Sequence, residues 1–316
     1  MKVVEELLKI MDSSGGENIS GQELAEKLGV SRTAVWKAMN KLQEQGYEIE
    51  ATRNRGYRMI RSGDLLSAEQ ISGYLSPEVK TADIQVFKSI SSTNTYAKKL
   101  AADGAKSGTV IIADQQTEGR GRRGNSFFSP PKTGLYMSVI LRPKGFEAET
   151  DMVTVCAGCA VCRAIEKLTD KKPLIKWVND IYLKEKKICG ILTEGVVDFE
   201  TGHIDNIVVG IGLNITTGDF PEDIEQKAGA LDHKISRNRI AAEIIEELYH
   251  CLNRTREENI KDYKNRSLVL GKEVYYLKNG VPHHGEALDI DQKGQLIVLT
   301  QNGRETLNSG EISVRF

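Results

Sequence analysis

The sequence lacks any long apolar run: no stretch of about 18 apolar residues occurs within its 316 residues. We therefore expect no membrane-spanning helix. The opening MKVVEELLKIMDSSGG has neither an extended apolar segment nor a cleavage site, and so predicts no signal peptide. A strong overall charge is also missing, because 43 basic residues face 44 acidic ones. Any contact with nucleic acid must therefore come from a local basic patch.

Cysteine is scarce, with five residues, and an odd number in a chain of this size argues against a disulfide scaffold. The sequence thus predicts a reduced, cytoplasmic location. Cys156, Cys159 and Cys162 form a CxxCxxC pattern, which also occurs at iron–sulfur sites. No fourth ligand follows at a suitable spacing, and small residues dominate VCAGCAVCRAIEKL. We interpret this segment as a tightly packed helix.

Residues 1–62 have the pattern of a small separate domain, since an apolar content of 40% allows real cores in several units. Helical spacing predicts a first helix, and Ser20 with Glu23 resembles a capping box before a second, which Gly29 ends. Ser31 opens RTAVWKAMNKLQEQ, and two β-prone runs follow around Asn54 and Gly56. Three helices and a hairpin predict a winged helix-turn-helix.

Basic charge is concentrated between Lys27 and Arg61, where eight basic residues oppose three glutamates, a local net charge of about +5. We expect this patch to lie against DNA. The candidate DNA contacts are Ser31, Arg32, Thr33, Lys37, Arg53 and Arg55. We expect Trp36 to pack in the core rather than to contact a base. A winged helix that serves protein contact alone is the alternative.

The rest of the chain predicts three further segments. Residues 63–82 have the mixed composition of a linker with a short helix, and residues 83–268 alternate β-rich and helical stretches. Residues 269–316 contain Asn279-Gly280, Lys293-Gly294 and Asn302-Gly303, which are hairpin signals and predict a small β-barrel. We assign the chain to the α+β class, with a central domain around a mixed or antiparallel sheet.

The segment Gly119-Arg-Gly-Arg-Arg-Gly124 formally matches the dinucleotide fingerprint G-x-G-x-x-G. It runs into NSFFSPP, which cannot be a helix, so the dinucleotide interpretation fails on context. A flexible backbone with Arg120, Arg122 and Arg123 suits a loop around phosphate or carboxylate, because guanidinium groups bind such anions in a bidentate way. A solvated basic loop, or one that touches DNA, remains the alternative.

A second candidate anion site lies in LIKWVNDIYLKEKKICGILTEGVV. We interpret it as two strands around Lys184-Glu185-Lys186, with a third strand, HIDNIVVGIGLNI, after Thr201-Gly202. Short turns between consecutive strands indicate antiparallel pairing. Lys187 opens the second strand near Gly190, Asn179 and Asp180 lie on the first strand, and Asn214 ends the third. These groups can converge on one face, although most lysines are surface residues.

Taken together, the motifs resemble those of the biotin–protein ligases of the bifunctional ligase/repressor type. The resemblance is carried by Ser92-Thr93-Asn94, Gln116-Thr117, GRGRRG, Lys176-Trp177, Asn179-Asp180, Lys187, Gly190-Ile191-Leu192, Glu194, Gly210-Ile211-Gly212 and Asn214. It extends in order along the whole chain. It implies a class II synthetase-like central domain and an SH3-like terminal barrel.

The resemblance also implies residue roles. Biotin would be held by Ser92, Thr93, Asn94, Gln116, Gly119, Arg120, Gly121, Arg122, Lys187 and Gly190. ATP and the adenylate would be held by Arg122, Arg123, Phe127, Asn179, Lys187 and Asn214. The catalytic set would be Lys187, Arg120, Arg122 and Asp180. Phe127 stands where the family commonly has tryptophan, Val178 replaces a common proline, and Asn125 replaces a common arginine.

The implied substrates are biotin and ATP with Mg²⁺, which would arrive with ATP and for which Asp180 is the candidate protein contact. The implied partners are a biotin carboxyl carrier protein, operator DNA and a second copy of the chain when adenylate is bound. Two alternatives stay open. A repressor that senses biotin without transferring it would need neither the phosphate loop nor the lysine, and a lipoate ligase shares the general fold.

Overall fold

The computed structural model describes residues 2–14, 16–44, 47–52, 55–61, 65–79, 81, 83–142, 150–197, 204–278, 280–308 and 312–314. It divides into two compact units, one of residues 1–74 with 236–239 and one of residues 75–235 with 240–316. Across the described ranges, no helix is long and apolar enough to cross a membrane. Five sequence features lie outside these ranges: Gly46, Arg53-Asn54, Ser62-Gly63, Thr201-Gly202 and Asn279.

The first unit begins with three helices and a β-hairpin, as the sequence predicted. They are α1 (Lys2–Ser13), α2 (Gly21–Leu28), α3 (Arg32–Glu44), β1 (Glu48–Thr52) and β2 (Gly56–Arg61), followed by α4 (Ala68–Tyr74). Ser20 caps α2 by accepting a hydrogen bond from the Glu23 amide at 3.1 Å. Gly29 ends α2 in the left-handed conformation that glycine adopts without penalty.

The core of this unit is formed by the apolar stripes of its helices. Leu7 and Met11 of α1 and Val35 and Leu42 of α3 are buried completely or nearly so. Trp36, which directly follows Val35 in α3, is 53% exposed. The expectation that Trp36 packs in the core is therefore wrong, because its position places the indole one step away from the buried stripe.

The second unit is built around a seven-stranded sheet. Its strands are β3 (Asp83–Phe87), β4 (Thr109–Ala113), β5 (Gly134–Leu141), β6 (Leu174–Lys176), β7 (Asp180–Leu183), β8 (Lys186–Val197) and β9 (Ile204–Asn214). They lie in the order β3-β4-β5-β9-β8-β7-β6. β3 and β4 are parallel, and the other pairs are antiparallel. The sheet is thus mixed, which excludes a doubly wound nucleotide fold.

Four helices accompany this sheet: α5 (Thr93–Ala102), α6 (Thr150–Leu168), α7 (Arg237–Leu252) and α8 (Arg256–Asn265). The CxxCxxC segment forms part of α6, as expected, and its three cysteines are fully buried. Burial raises the pKa of the Cys162 thiol far above its usual value, so this sulfur is a neutral packing group. Gly158 adds the small surface that lets Ile175 and Tyr263 approach the helix.

The C-terminal residues form a five-stranded antiparallel sheet. Its strands are β10 (Glu273–Lys278), β11 (Val281–Ile290), β12 (Leu296–Thr300), β13 (Gly303–Leu307) and β14 (Ile312–Val314), in the order β13-β12-β11-β10-β14. Gly294 has a positive φ of 80° in the turn before β12, as a hairpin signal predicts. The indole of Trp177 donates to the Gly294 carbonyl at 2.9 Å, which joins this sheet to the central one.

Candidate functional site

A cavity of about 580 Å³ lies in the second unit and gathers most of the residues singled out in the sequence. Six basic side chains and two carboxylates line it: Arg120, Arg122, Arg123, Lys176, Lys187, Lys227, Asp180 and Asp223. Ser92, Thr93, Asn94 and Gln116 line the same cavity. It therefore combines a neutral polar part with a strongly cationic part, which suits a ligand with a polar head and an anionic tail.

The neutral part is built where α5 begins. Ser92 caps the helix, and its hydroxyl accepts from the Thr95 amide at 3.4 Å, which turns the following residues toward the cavity. Thr93 is tied to Gln116, whose Oε1 accepts from the Thr93 amide at 2.9 Å and lies 3.1 Å from the Thr93 hydroxyl. Ser92, Thr93 and Asn94 are each at most 4% exposed. Buried polar groups held this firmly form a specific recognition surface.

The arginine loop follows β4 and contains no α-helix, as the sequence predicted. A single 3-10 turn covers Arg122–Gly124. The Arg122 guanidinium donates to the Asn179 side chain at 3.2 Å, which holds it toward the cavity. Gly121 lines the cavity, whereas Gly119 lies behind it, where a Cβ would stand only 2.3 Å from the Phe127 carbonyl. Gly119 therefore serves the close approach of two chain segments.

Lys187 and Asp180 form an ion pair at the centre of the cationic part. Their Nζ and Oδ1 atoms are 2.7 Å apart, with side chains 33% and 23% exposed. The pair is placed by antiparallel pairing of β7 and β8, which aligns Asp180 with Gly190. Burial, followed by the nearby Asp180 carboxylate, raises the pKa of Tyr182 to about 12, so this cavity-lining phenol is neutral near pH 7.

Two details of the predicted lysine hairpin are wrong. Asn179 lies in a turn between β6 and β7, so LIKWVNDIYL forms two short strands rather than one. The β7–β8 turn is Lys184-Glu185, because Lys186 already pairs with Leu183. Asn179 is held in this turn because both its backbone and its side chain form hydrogen bonds with Ile191. The side-chain amide donates to the Ile191 carbonyl at 2.7 Å, and the Asn179 carbonyl accepts from the Ile191 amide. The preceding Trp177–Val178 peptide bond is cis.

Phe127 fills space that two glycines leave open. A Cβ on Gly212 would lie 2.5 Å from its ring, and one on Gly190 would lie 3.3 Å from it and 3.2 Å from Lys187 Cε. The resemblance placed Gly190 among the biotin-binding residues, and in this structure the space beside it is filled by Phe127 and Lys187. The ring also contacts Tyr136 edge to face, with centroids 6.4 Å apart.

Asn214 ends β9 and is 5% exposed. Its amide donates to the Gly229 carbonyl at 3.0 Å, while its buried Oδ1 has no hydrogen-bond partner among the described residues. A buried acceptor of this kind in a cavity wall is suited to a donor on a ligand.

A cavity wall that the sequence did not predict comes from the segment between β9 and α7. Phe220, Asp223, Ile224, Lys227 and Ala228 line the cavity. The Lys187 amide donates to the Lys227 carbonyl at 2.9 Å, and the Gly229 amide donates to the Lys187 carbonyl at 2.8 Å. The signal in the sequence was weak: a loop marked by Gly218 and Pro221 that nonetheless contains a large aromatic residue.

In the first unit, the exposed face of α3 carries the predicted DNA contacts. Ser31, Arg32, Thr33 and Lys37 are exposed, and Arg55 is exposed at the hairpin. Arg53 lies outside the described residues. On the hairpin, Arg58 is paired with Glu50 at 2.7 Å, so part of the basic charge counted in the sequence is neutralised.

Three family matches divide the chain. Residues 86–214 match the Biotin/lipoate A/B protein ligase family, residues 4–58 match an HTH domain, and residues 269–315 match the Biotin protein ligase C terminal domain. A ligase fold flanked by a helix-turn-helix and a small β-domain is the class that the fold and the cavity define.

Individual relatives agree with this class. The chain is 34% identical to the bifunctional ligase/repressor BirA of Bacillus subtilis over 98% of both chains. It is 32% identical to that of Escherichia coli, with 94% of this chain and 95% of the relative covered. The biotin protein ligase of Aquifex aeolicus, solved with biotin and ATP, has a TM-score of 0.65 and 29% identity over 74% of this chain and 99% of its own. The chain belongs to the family of bifunctional biotin–protein ligases and repressors.

Proposed function

We propose that this protein is an ATP-dependent biotin–protein ligase that also represses biotin genes. It activates biotin as biotinyl-5'-AMP and transfers it to a lysine of a biotin carboxyl carrier protein. Family membership supports the reaction. The observation that carries the assignment to this site is the junction, in one cavity, of the buried polar part around Thr93 and the cationic part around Lys187.

The neutral part of the cavity suits the ureido ring of biotin. That ring is uncharged and presents two N–H donors and one carbonyl acceptor, and it requires matched hydrogen-bonding groups when water is excluded. Ser92, Thr93 and Asn94 supply hydroxyl and amide groups that are almost fully buried, and the half-buried Gln116 adds a further amide. The valerate chain then leads from this part toward the basic side chains.

The cationic part suits the reacting anions. The biotin carboxylate must approach the α-phosphate of ATP, and both groups are negatively charged. Arg120, Arg122 and Lys187 reduce this repulsion and stabilise the charge that develops as pyrophosphate leaves. Arg122 is held by Asn179, so its orientation is largely set before the ligands bind. No covalent enzyme nucleophile takes part.

The nucleotide is proposed to occupy the end of the cavity near Arg123, Phe127, Asn179 and Asn214. The unpartnered Oδ1 of Asn214 accepts a donor of the adenylate, and Phe127 offers a face for packing. We propose that the metal ion of the reaction arrives with ATP. Mg²⁺ would reduce the charge of the phosphates, and Asp180 is its candidate protein contact.

In the second step, the amine of the acceptor lysine attacks the carbonyl carbon of the mixed anhydride. The bond to the phosphate oxygen breaks, AMP leaves with that electron pair, and the amine loses a proton. Asp180 is the carboxylate beside this position and is proposed to orient the amine. The arginine loop and the segment that contains Phe220 enclose the labile anhydride and exclude water.

The regulatory part of the proposal links this cavity to the winged helix. Bound adenylate favours a homodimer, whose two winged helices read the half-sites of a two-fold operator. An acceptor protein competes by consuming the adenylate. The proposed location is the cytoplasm, in keeping with five cysteines that form no disulfide bond with one another. Sedimentation with and without biotin and ATP tests the dimer: an unchanged mass would contradict it.

The decisive experiment is biotin-dependent exchange of labelled pyrophosphate into ATP, with Lys187→Ala measured alongside. We expect exchange with biotin but not with lipoate, and a loss of at least about a hundredfold in the variant. Lys106→Ala, an exposed lysine outside the cavity, is the matched control and should exchange normally. Biotin binding without exchange would instead indicate a sensor-only repressor, and exchange with lipoate would indicate a lipoate ligase.

A further inference from the structure

A chain of hydrogen bonds runs behind the neutral end of the cavity and begins at Lys98. Its ammonium group lies 2.6 Å from Oε1 of Glu194. The other carboxylate oxygen, Oε2, accepts from the Asn94 amide at 2.9 Å, and the same amide donates to the Leu192 carbonyl at 3.2 Å. Neither Glu194 nor Lys98 lines the cavity. The sequence motifs included Glu194 but gave it no role.

The orientation of Asn94 follows from these partners. An ionised carboxylate and a carbonyl can only accept hydrogen bonds, so the amide nitrogen of Asn94 must face them. Burial opposes ionisation of Glu194, but hydrogen bonds from Lys98 and Asn94 outweigh it and hold the pKa of Glu194 below its usual value. The amide oxygen therefore points the other way, into the space that Gly210 leaves open: a Cβ there would lie 2.1 Å from it.

The next link is Ser138, a fully buried residue of β5. Its oxygen lies 2.6 Å from Asn94 Oδ1 and 2.8 Å from the Thr93 hydroxyl oxygen. Because Asn94 Oδ1 can only accept, the single hydroxyl hydrogen of Ser138 is committed to it. Toward Thr93, Ser138 then offers only lone pairs.

Thr93 faces two acceptors, Ser138 and the Oε1 atom of Gln116. Gln116 Oε1 accepts because its amino group donates to Ser129 at 2.9 Å. The one hydroxyl hydrogen of Thr93 is thus used inside the protein, whichever acceptor receives it. Neither neighbour uses the two lone pairs of the Thr93 oxygen, so this oxygen can accept a hydrogen bond from an N–H group of a ligand in the cavity that Thr93 lines.

We propose that Glu194 is a positioning residue that sets the hydrogen-bond direction of this chain, so that Thr93 presents an acceptor to a ureido N–H of biotin. The proposal rests on the proposed function of the cavity and deepens it. Glu194 does not touch the ligand. It acts through Asn94 and Ser138, and Lys98 keeps its carboxylate in place.

Glu194→Gln tests the direction of the chain with almost no change of shape. Lys98 is a donor only, so the new amide turns its oxygen to Lys98 and its amino group to Asn94, where a donor meets a donor. We expect the KM for biotin to rise about tenfold, with kcat and the KM for ATP within twofold. Glu257→Gln, an exposed charge-matched control on α8, should change none of these constants.

A rescue separates hydrogen-bond direction from loss of packing or charge. Lys98→Met removes the group that forces the wrong orientation, so the double variant Lys98→Met/Glu194→Gln can turn its amide oxygen to Asn94. We expect the double variant to return the KM for biotin to within threefold of the unmodified protein. A double variant as impaired as Glu194→Gln would overturn the proposal.

Thr93→Val distinguishes failure of this proposal from failure of the proposed function. If Thr93→Val raises the KM for biotin while Glu194→Gln and Ser138→Ala leave it within twofold, the positioning role is wrong and the biotin site stands. If Thr93→Val itself leaves the KM unchanged, biotin does not bind at Thr93, and the positioning role falls together with the proposed biotin site, whereas the ligase reaction is decided by pyrophosphate exchange. Thermal melting of each variant establishes that it folds. If Glu194→Gln does not fold, Ser138→Ala tests the same chain of hydrogen bonds.

Discussion

Lys187 and Asp180 neutralise each other across 2.7 Å in the middle of a cavity that is otherwise rich in positive charge. The pair holds the lysine in place before any ligand is bound. It also means that Lys187 must exchange its carboxylate partner for the anions of the substrates. The cost of that exchange is small only when the incoming carboxylate and phosphate offer equal or better charge pairing.

We expect Asp180→Asn to slow the transfer of biotin to the acceptor lysine on the order of a hundredfold. The formation of adenylate should fall much less, because Lys187 stays in the cavity and loses only its competing partner. Single-turnover measurements of adenylate formation and of transfer, made on the same variant, check this split. Equal losses in both steps would argue against a role of Asp180 in transfer.

Arg122→Ala should release biotinyl-adenylate into solution, with dissociation faster by roughly ten- to a hundredfold, the value of one charge-assisted hydrogen bond. The reason is that Arg122 reaches the cavity from the loop that encloses it and is held there by Asn179. Trapping of free adenylate by a chemical amine gives the rate. Lys106→Ala serves as the charge control, and tightly retained adenylate in Arg122→Ala would sink the idea.

Trp36→Ala should weaken operator binding about tenfold, without loss of stability or ligase activity. The indole is 53% exposed on the same face of α3 as Thr33 and Lys37. Lys37→Ala, in contrast, should lower the salt dependence of binding by about one unit of slope, as expected for a phosphate contact. Binding titrations at several salt concentrations separate the two. If Trp36→Ala lost stability but bound DNA normally, Trp36 would contribute to packing and not to DNA binding.

Acid should destabilise the second unit through Asp262, which accepts from Arg163 at 2.7 Å and from Arg266 at 3.0 Å. Burial opposes its ionisation, but the two arginines hold the pKa of Asp262 below its usual value. The stabilisation is therefore present above the unfolded pKa of about 4 and is lost as the pH falls through the lower folded value.

Asp262→Asn should accordingly cost about 3 kcal/mol near pH 7, because both arginines lose one of their charged partners. Arg266 keeps Glu166 at 2.6 Å, and Arg163 keeps Glu247 at 4.0 Å. It should also flatten the decline of the free energy of unfolding in acid. Urea titrations between pH 3 and about 7 measure both effects. An acid response identical to that of the unmodified protein would show that other carboxylates are responsible.

Local sequence signals were strong enough to predict much of the fold. The cap at Ser20 and the end of α2 at Gly29 depend on contacts within a few residues, and both were found. The predicted burial of Trp36 was wrong, because nothing in the local sequence indicates that an aromatic residue next to a buried stripe is exposed. The prediction that Asn179 lies on a strand was wrong for a similar reason, because its turn is stabilised by a hydrogen bond to Ile191, twelve residues away.

The residues in and behind the cavity also divide into those that the sequence predicted and those that it did not. The family resemblance predicted Ser92, Thr93 and Gln116, and the position of Lys187 near Gly190 and Asp180 also pointed to an anion site. Nothing in the sequence marked Ser138 as part of the site, because a serine in GLYMSVIL looks like any other residue of a strand. It contributes only because β5 brings it beneath α5, where its hydroxyl lies between Thr93 and Asn94.

The sequence by itself determined the order of the domains and the helices and turns that depend on neighbours, and through the family resemblance it predicted which types of group would bind an anion and a ureido ring. Only the tertiary structure decided which of these groups meet and in which direction their hydrogen bonds run. The physical reason is distance along the chain: Asn94 and Glu194 are 100 residues apart. Their hydrogen bond exists only after α5 has packed on the sheet that contains β8.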